Sequence, residues 1–459
     1  MKLGQMTAGN RNSCLLHGAL QTIRAIEGAV PVTHSTAGCG VQQYLEGSTL
    51  SGKGGSGNGG GLSISSASFL ERQVMSGGTS RLREQPKNTV KIKAGDFCAV
   101  PTGCTPELVG DDVPAAMIKE LQEQQVHAIH LGTPGFKDSV HDGYSAVLLG
   151  ILRQYDKLGV SAGVRNGRLV NLFGVIPEQD VYWRGNLQAL KLSFEDVGAE
   201  VNVIFGPDAE RREWAALRQA ALNVSFSVHS LDICEWLERH AGIPYVRFDG
   251  YPVGVAQTGE VLSCVLRQLD LEPDALEAKI KDQERLERYY IREQADAYYR
   301  YGFQKRLAVV GDSASAINQS RFLAGPLGLL PVLIIITDDL PQAMQERILH
   351  DWRERQQPGF ETRIVFESDG QLIEKLLLKE DIELLLGSSI ERKTAERKGI
   401  PFIPLSYPVA EELMLTRGFA GFGGGIALLE NVGCGIIRFA EIRSCNPCPL
   451  YGSSLAQWH

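Results

Sequence analysis

Three doubly wound α/β units of the Rossmann-like kind, each built on a parallel sheet, are what this sequence predicts. Three observations carry that expectation. The chain has 459 residues, room for roughly three units of about 150 residues each. Short apolar runs of strand length alternate with helical stretches, the order that builds a parallel sheet covered on both faces. No compact internal repeat of about 20–50 residues appears that would point instead to a solenoid. The expected divisions are residues 1–160, an amino-terminal α/β unit; 161–272, a second α/β unit; and 273–459, a long helix, a third α/β unit and a tail.

The elements come in order. "DFCAVPTG" (96–103) reads as a buried strand ending at a turn, "DVPAAMIKELQEQQ" (112–125) as a helix and "VHAIHLGTPGF" (126–136) as the next strand and loop. "RLVNLFGVI" (168–176), "QALKLSFEDVG" (188–198), "AEVNVIFG" (199–206) and "REWAALRQA" (212–220) repeat that alternation. Residues 273–304 are rich in helix formers with Pro273 at the start, and predict a long helix joining two units. Beyond it, "KRLAVVGDSASAINQSRFLAG" (305–325), "LLPVLIIITDD" (329–339), "TRIVFESD" (362–369) and "DIELLLGSS" (381–389) form the third block. Its "AVVGD" turn lacks the G-x-G-x-x-G spacing that would mark a dinucleotide site. The glycine-rich stretch "SGKGGSGNGGG" (51–61) holds Lys53 but not the Gly-Lys-Ser/Thr order of a phosphate loop, and reads as a flexible surface segment.

Composition narrows the function. Hydrophobic residues make up 43% and charged residues 22%, an ordinary globular balance. The net charge of -8 and the absence of a Lys/Arg block argue against nucleic acid as a partner. The first residues, "MKLGQMTAGNRNSC", lack a continuous apolar stretch, and no apolar run approaches about 20 residues, so no membrane association and a cytoplasmic location are expected. Nine cysteines in such a chain do not make a complete disulfide framework. In a reducing compartment the question becomes which thiols meet a metal.

Cys14 ("NRNSCLLHGA"), Cys39 ("STAGCGVQQ") and Cys104 ("PTGCTPELVGDD") each lie in a loop or at a strand end beside small residues. Thiolates ligate iron, and glycine neighbours let the backbone approach a cluster and donate N–H groups to its sulfides. None of the three belongs to a C-x-x-C pair, which rules out a compact ferredoxin-type or zinc-ribbon site. Three dispersed thiols make sense as half of a cluster whose other ligands come from a second chain; buried packing cysteines are the alternative on spacing alone. Cys98, Cys264 and Cys434 read as core residues. Cys445-x-x-Cys448 reads as part of a tail packed on a partner rather than as a metal pair. His17 and His34 stand close enough in sequence to tune a cluster by hydrogen bonding. Asp111 and Asp112 read as turn and helix-cap residues.

The wording of these motifs resembles the β subunit of the nitrogenase component 1 family. "NSCLLHGAL" is similar to the first cluster-cysteine motif, "HSTAGCGVQQ" to the second and "PTGCTPELVGDDV" to the third. "HLGTPGFKDSVHDGY" (130–144) resembles the family's Thr-Pro-x-Phe segment, and "ELLLGSSIERKTAERKGIPFIPLSYPV" with "TRGFAGFGGGIALLENV" resembles its last unit. The resemblance implies a P-type 8Fe-7S iron-sulfur cluster shared with an α-like subunit, with Cys39 bridging, Cys14 and Cys104 each holding a terminal iron, and Ser139 offering a hydroxyl to the oxidised cluster. It also implies an α2β2 heterotetramer, an ATP-dependent iron protein as electron donor, and a catalytic iron-sulfur cofactor in the α-like chain. The α-type cofactor ligands are missing: Ser227 falls near the expected cysteine, Cys234 lies in the following helix, and no histidine occurs between Pro401 and Gly435. The extra insert 51–61 and Ser76, near a position where the family carries an aromatic docking residue, favour a nitrogenase-like reductase over nitrogenase itself. Within that group the expectation is a methylthio-alkane reductase that cleaves carbon–sulfur bonds. A dinitrogen-reducing β subunit and a cofactor-assembly scaffold are the alternatives.

Overall fold

The computed structural model describes residues 12–49, 64–93, 97–114, 127–157, 159, 163–206, 209, 211–355 and 361–444. Three parallel sheets organise them. The first has the order β2-β1-β3-β4, from β1 (Ala29–Thr33), β2 (Ser65–Ser66), β3 (Phe97–Thr102) and β4 (His127–Gly132). The second has the order β6-β5-β7-β8, from β5 (Asn166–Phe173), β6 (Glu200–Asn202), β7 (Ala220–Ser225) and β8 (Tyr245–Arg247). The third has the order β11-β10-β9-β12-β13, from β9 (Arg306–Gly311), β10 (Leu330–Ile336), β11 (Arg363–Phe366), β12 (Leu384–Gly387) and β13 (Phe402–Pro404).

The unbroken apolar strands result from this architecture, because a parallel sheet buries both faces. In β9, Leu307 and Val309 join the large central core while Ala308 and Val310 face a second cluster behind the sheet. In β10, Ile334 and Ile336 point one way and Leu333 and Ile335 the other. The central core is continuous from Ala19 through Phe173 to Ile436, so the three sheets share one apolar interior.

The expected long helix is interrupted. It runs as Asp274–Glu293 and Ala295–Tyr301, with Gln294 between them. Nothing in the structure explains that break. The helix expected over 112–125 lies largely outside the described residues, as do the glycine insert 51–61 and Cys445 and Cys448.

One backbone contact sets the position of Cys14. A Cβ on Gly18 would lie 1.8 Å from the Val140 carbonyl oxygen, and one on Gly143 would lie 2.2 Å from the Ala19 nitrogen. The helices Leu15–Arg24 and Asp142–Lys157 therefore meet backbone to backbone. This close approach brings Cys14, at the head of the first helix, into an antiparallel bridge with Ser139. Overpacking a well-filled contact typically costs about 1–3 kcal/mol. Gly18→Ala is expected to lower stability by about 3 kcal/mol, since backbone atoms cannot step aside as a side chain can. Gly167→Ala, whose Cβ would meet nothing within 4 Å, serves as the control and is expected to stay within about 0.5 kcal/mol. Urea unfolding midpoints of the two variants check both.

Candidate functional site

The three candidate cysteines all stand at the amino ends of helices. Cys14 is the N-cap of Leu15–Arg24, Cys39 lies in the first turn of Ala37–Thr49, and Cys104 opens Cys104–Val109. The placement of Cys39 corrects the loop expected for it: the helix forms despite Gly38 and Gly40. Free N–H groups and the helix dipole make such ends favourable for an anionic group bound against them.

Cys14 and Cys104 share one cradle. The Gly135 amide donates to Cys104 Sγ at 3.2 Å. A Cβ on Gly135 would meet Cys14 Sγ at 3.1 Å and Cys104 Sγ at 3.4 Å. Both sulfurs thus lie within a methyl group's reach of a single glycine, one that nothing in the sequence of "GTPGF" singles out. Gly103 is needed for a similar reason, since a Cβ there would meet Ser35 Oγ at 2.2 Å.

Cys39 is tied to this pair through His17. The His17 Nε2 lies 3.3 Å from the Cys39 carbonyl oxygen, and its Nδ1 lies 3.6 Å from Cys14 Sγ and 2.5 Å from Ser13 Oγ. Protonated, the ring donates from Nε2 to that carbonyl and from Nδ1 towards the Cys14 sulfur, an arrangement that favours the thiolate. The Cys39 sulfur contacts Ser35 Oγ at 3.3 Å and Thr36 Oγ1 at 3.8 Å. Around it the surface is open: a Cβ on Gly38 would meet nothing within 4 Å, and one on Gly40 only Ser66 Cβ at 3.8 Å. The glycines therefore make no room for this chain's own atoms.

The titration behaviour separates Cys14 from packing cysteines. Burial pushes the Cys14 thiol up, but the hydrogen bond and charge of His17 outweigh it and leave the group below its ordinary value. Cys98 is fully buried on β3 and is pushed up to about 12 by desolvation, and Cys234 is likewise raised by burial. Those two are core residues.

Ser139 stands beside Cys14, but its hydroxyl already donates to Asp142 Oδ2 at 2.6 Å. His34 makes no contact with any of the three sulfurs among the described residues. It pairs through Nε2 with Asp111 Oδ2 at 2.8 Å and meets the Phe69 ring edge-on at 4.7 Å. Asp111 also accepts the Gly78 amide at 2.9 and 3.0 Å, so it staples two loops together instead of capping a helix.

The segments bearing the thiols also expose apolar side chains: Val41 after Cys39, Leu108 and Val109 after Cys104, and Phe136 beside Gly135. Leu70, Val74 and Met75 add to them from the helix Glu71–Ser76 and its cap. Clustered exposure of this kind marks an interaction surface. Among the described residues no group of three or more His, Cys, Asp or Glu could hold a single metal ion. Three thiols spaced round an open face fit a multi-iron cluster better than one ion, because a cluster spreads its ligands over several metal atoms. No helix among the described residues is long and apolar enough to cross a membrane.

Comparison with known proteins gives the family and the fold. The family model for nitrogenase component 1 type oxidoreductase matches residues 14–436. The nitrogenase molybdenum-iron protein beta chain of Methanothermobacter thermautotrophicus is 23% identical, with 93% of each chain covered. That of Frankia alni is 26% identical over 93% of this chain and 82% of its own. The nitrogenase vanadium-iron protein beta chain of Trichormus variabilis is 22% identical over 88% of this chain and 88% of its own. A solved structure described as nitrogenase Cp1 covers 97% of this chain and 96% of its own with a TM-score of 0.77 at 20% identity, which places the two in one fold.

The His17 contact is directly testable on the thiol. In His17→Leu the midpoint pH for alkylation of Cys14, followed by peptide mass spectrometry, is expected to move upward, because burial then acts without its counterweight. An unchanged midpoint would show that the ring does not act on that sulfur.

Proposed function

This chain belongs to the nitrogenase component 1 type oxidoreductase family, and on that premise we propose that it is the β-like subunit of a nitrogenase-like reductase. Membership implies iron-sulfur chemistry. In this reading Cys14, Cys39 and Cys104 hold half of a P-type iron-sulfur cluster shared with an α-like subunit, within an α2β2 heterotetramer. The single observation that supports it best is the shared cradle at Gly135, which gathers two sulfurs while Cys39 faces an open, apolar-edged surface. A half-site needs both properties: fixed ligands on one side and room for another chain on the other.

When bound, the cluster supplies one-electron storage between a donor and an acceptor. This chain's residues set its surroundings. His17 favours the Cys14 thiolate and holds the first two thiol segments in register, and the Gly135 amide donates to the Cys104 sulfur. Ser139 is the proposed additional oxygen ligand on oxidation. Its hydroxyl proton points at Asp142, which gives that proton an acceptor. An ATP-dependent iron protein is the proposed electron donor, and the catalytic iron-sulfur cofactor is assigned to the α-like chain.

For the substrate we propose methylthio-alkanes. Two electrons and two protons convert R–S–CH3 to R–H and methanethiol, breaking one carbon–sulfur bond. The departures at Ser76 and the insert 51–61 support a reductase other than nitrogenase. Reduction of dinitrogen is the second reading, favoured by the names of the beta chains to which this chain is similar.

Cys39→Ala, produced anaerobically with the partner, is expected to lose cluster iron and association with the α-like chain together, because the bridging thiolate serves both halves. Iron analysis and size-exclusion chromatography read the two losses. Unchanged iron would remove Cys39 from the site. Parallel assays with dinitrogen and methylthio-alkanes decide the substrate.

A further inference from the structure

The hydroxyl of Ser35, four residues before Cys39, is committed to the Cys39 sulfur. Ser35 Oγ lies 3.3 Å from Cys39 Sγ, and the residue is only 1% exposed. Among the described residues that sulfur is the hydroxyl's one hydrogen-bond partner. A buried hydroxyl is costly when unpaired, so the O–H has a strong reason to stay on the sulfur. Which atom donates depends on the state of Cys39. A free thiol can give its proton to the oxygen, whereas a sulfur that ligates iron has no proton and can only accept. Once Cys39 is a ligand, Ser35 is the donor.

The backbone holds this hydroxyl in place from two sides. Towards β3, the His34 amide donates to the Pro101 carbonyl at 3.0 Å and the Gly103 amide donates to the His34 carbonyl at 3.0 Å. From the other side the Phe69 amide donates to the Ser35 carbonyl at 3.1 Å. His34 is itself pinned through its ring to Asp111. The side chain then packs on bare backbone. A Cβ on Gly103 would lie 2.2 Å from Ser35 Oγ and 3.5 Å from Leu16 Cδ2, so the missing side chain is what leaves room for the hydroxyl, and the buried Leu16 closes the same spot. A fixed donor in such a dry setting acts more strongly than one at the surface.

Thr36 supplies the contrast within the same segment. Its Oγ1 lies 3.8 Å from the Cys39 sulfur, and the residue is half-buried. That hydroxyl is farther from the sulfur and can turn to water instead.

We infer that Ser35 is a positioning residue that acts through Cys39, donating to the bridging sulfur and raising the potential of the cluster. The inference rests on the reading of Cys14, Cys39 and Cys104 as a half-site. An added electron makes the cluster and its sulfurs more negative, and a hydrogen bond to an acceptor strengthens as that acceptor gains negative charge. The bond therefore stabilises the reduced cluster over the oxidised one. Two serines on this face have opposite commitments: the Ser139 proton points at Asp142, which frees its oxygen for an oxidised cluster, while the Ser35 proton points at a sulfur and favours the reduced one.

The test uses the complex of this chain with its α-like partner, purified anaerobically as wild type, Ser35→Ala, Ser35→Thr and Thr36→Val. Iron is counted first, and the midpoint potential of the cluster is then read by mediated redox titration followed by EPR. Ser35→Ala is expected to keep its iron and to shift the one-electron equilibrium about tenfold towards the oxidised cluster, a fall of about 59 mV in midpoint. Ser35→Thr, which retains a hydroxyl, and Thr36→Val are expected to hold the wild-type value. A wild-type complex without cluster iron overturns the half-site reading and this inference with it. A loaded Ser35→Ala complex at the wild-type potential, or an equal fall in Ser35→Thr or Thr36→Val, overturns the inference alone. Should Ser35→Ala not load iron, a crystal structure of the loaded wild-type complex decides. Ser35 Oγ within hydrogen-bond reach of the Cys39 sulfur supports the assignment, and a hydroxyl turned to another acceptor overturns it.

Discussion

The backbone contact between Gly18 and Val140, repeated between Gly143 and Ala19, is the constraint on which the thiol-bearing face depends. Only glycine allows the helices Leu15–Arg24 and Asp142–Lys157 to lie so close. From that contact the site is assembled in short steps. Cys14 is set against Ser139, the loop between β4 and the second helix carries Gly135 to both Cys14 and Cys104, and His17 reaches from the first helix to the Cys39 carbonyl. Two thiols are thereby placed by packing and the third by a hydrogen bond.

The same loop has two sides. Towards the surface it offers Gly135 and Phe136 among exposed apolar residues; towards the interior it ends at His141 and Asp142 beside His229 and Asp338. Outward lies the exposed apolar face proposed to meet a partner. Inward lies a charged cluster joining elements that follow strands of all three sheets. A shift of this loop would be felt on both sides, because Ser139 bonds to the same Asp142 that meets His229.

The sheets are legible from sequence because buried parallel strands leave continuous apolar runs, and those of β9, β10 and β12 are unmistakable. The thiols are legible only through the wording of their motifs, since their spacing alone fits packing cysteines equally well. Gly135 is not, because its importance rests on Cys14, 121 residues earlier in the chain, and on Cys104. The inner cluster is hidden for the same reason: His141, His229 and Asp338 follow strands of different sheets, and nothing local marks them. Asp111 misleads because an Asp before a helix ordinarily caps it, whereas here long-range partners at His34 and Gly78 claim its carboxylate.

The role proposed for the thiol face rests on a cluster that this chain only half owns. The most direct measurement is iron content and EPR on oxidation, taken anaerobically on the chain purified alone and on the chain purified with its α-like partner. Negligible iron and no signal are expected from the chain alone, with both appearing in the complex. A stable iron-sulfur cluster carried entirely by the isolated chain would contradict a shared half-site.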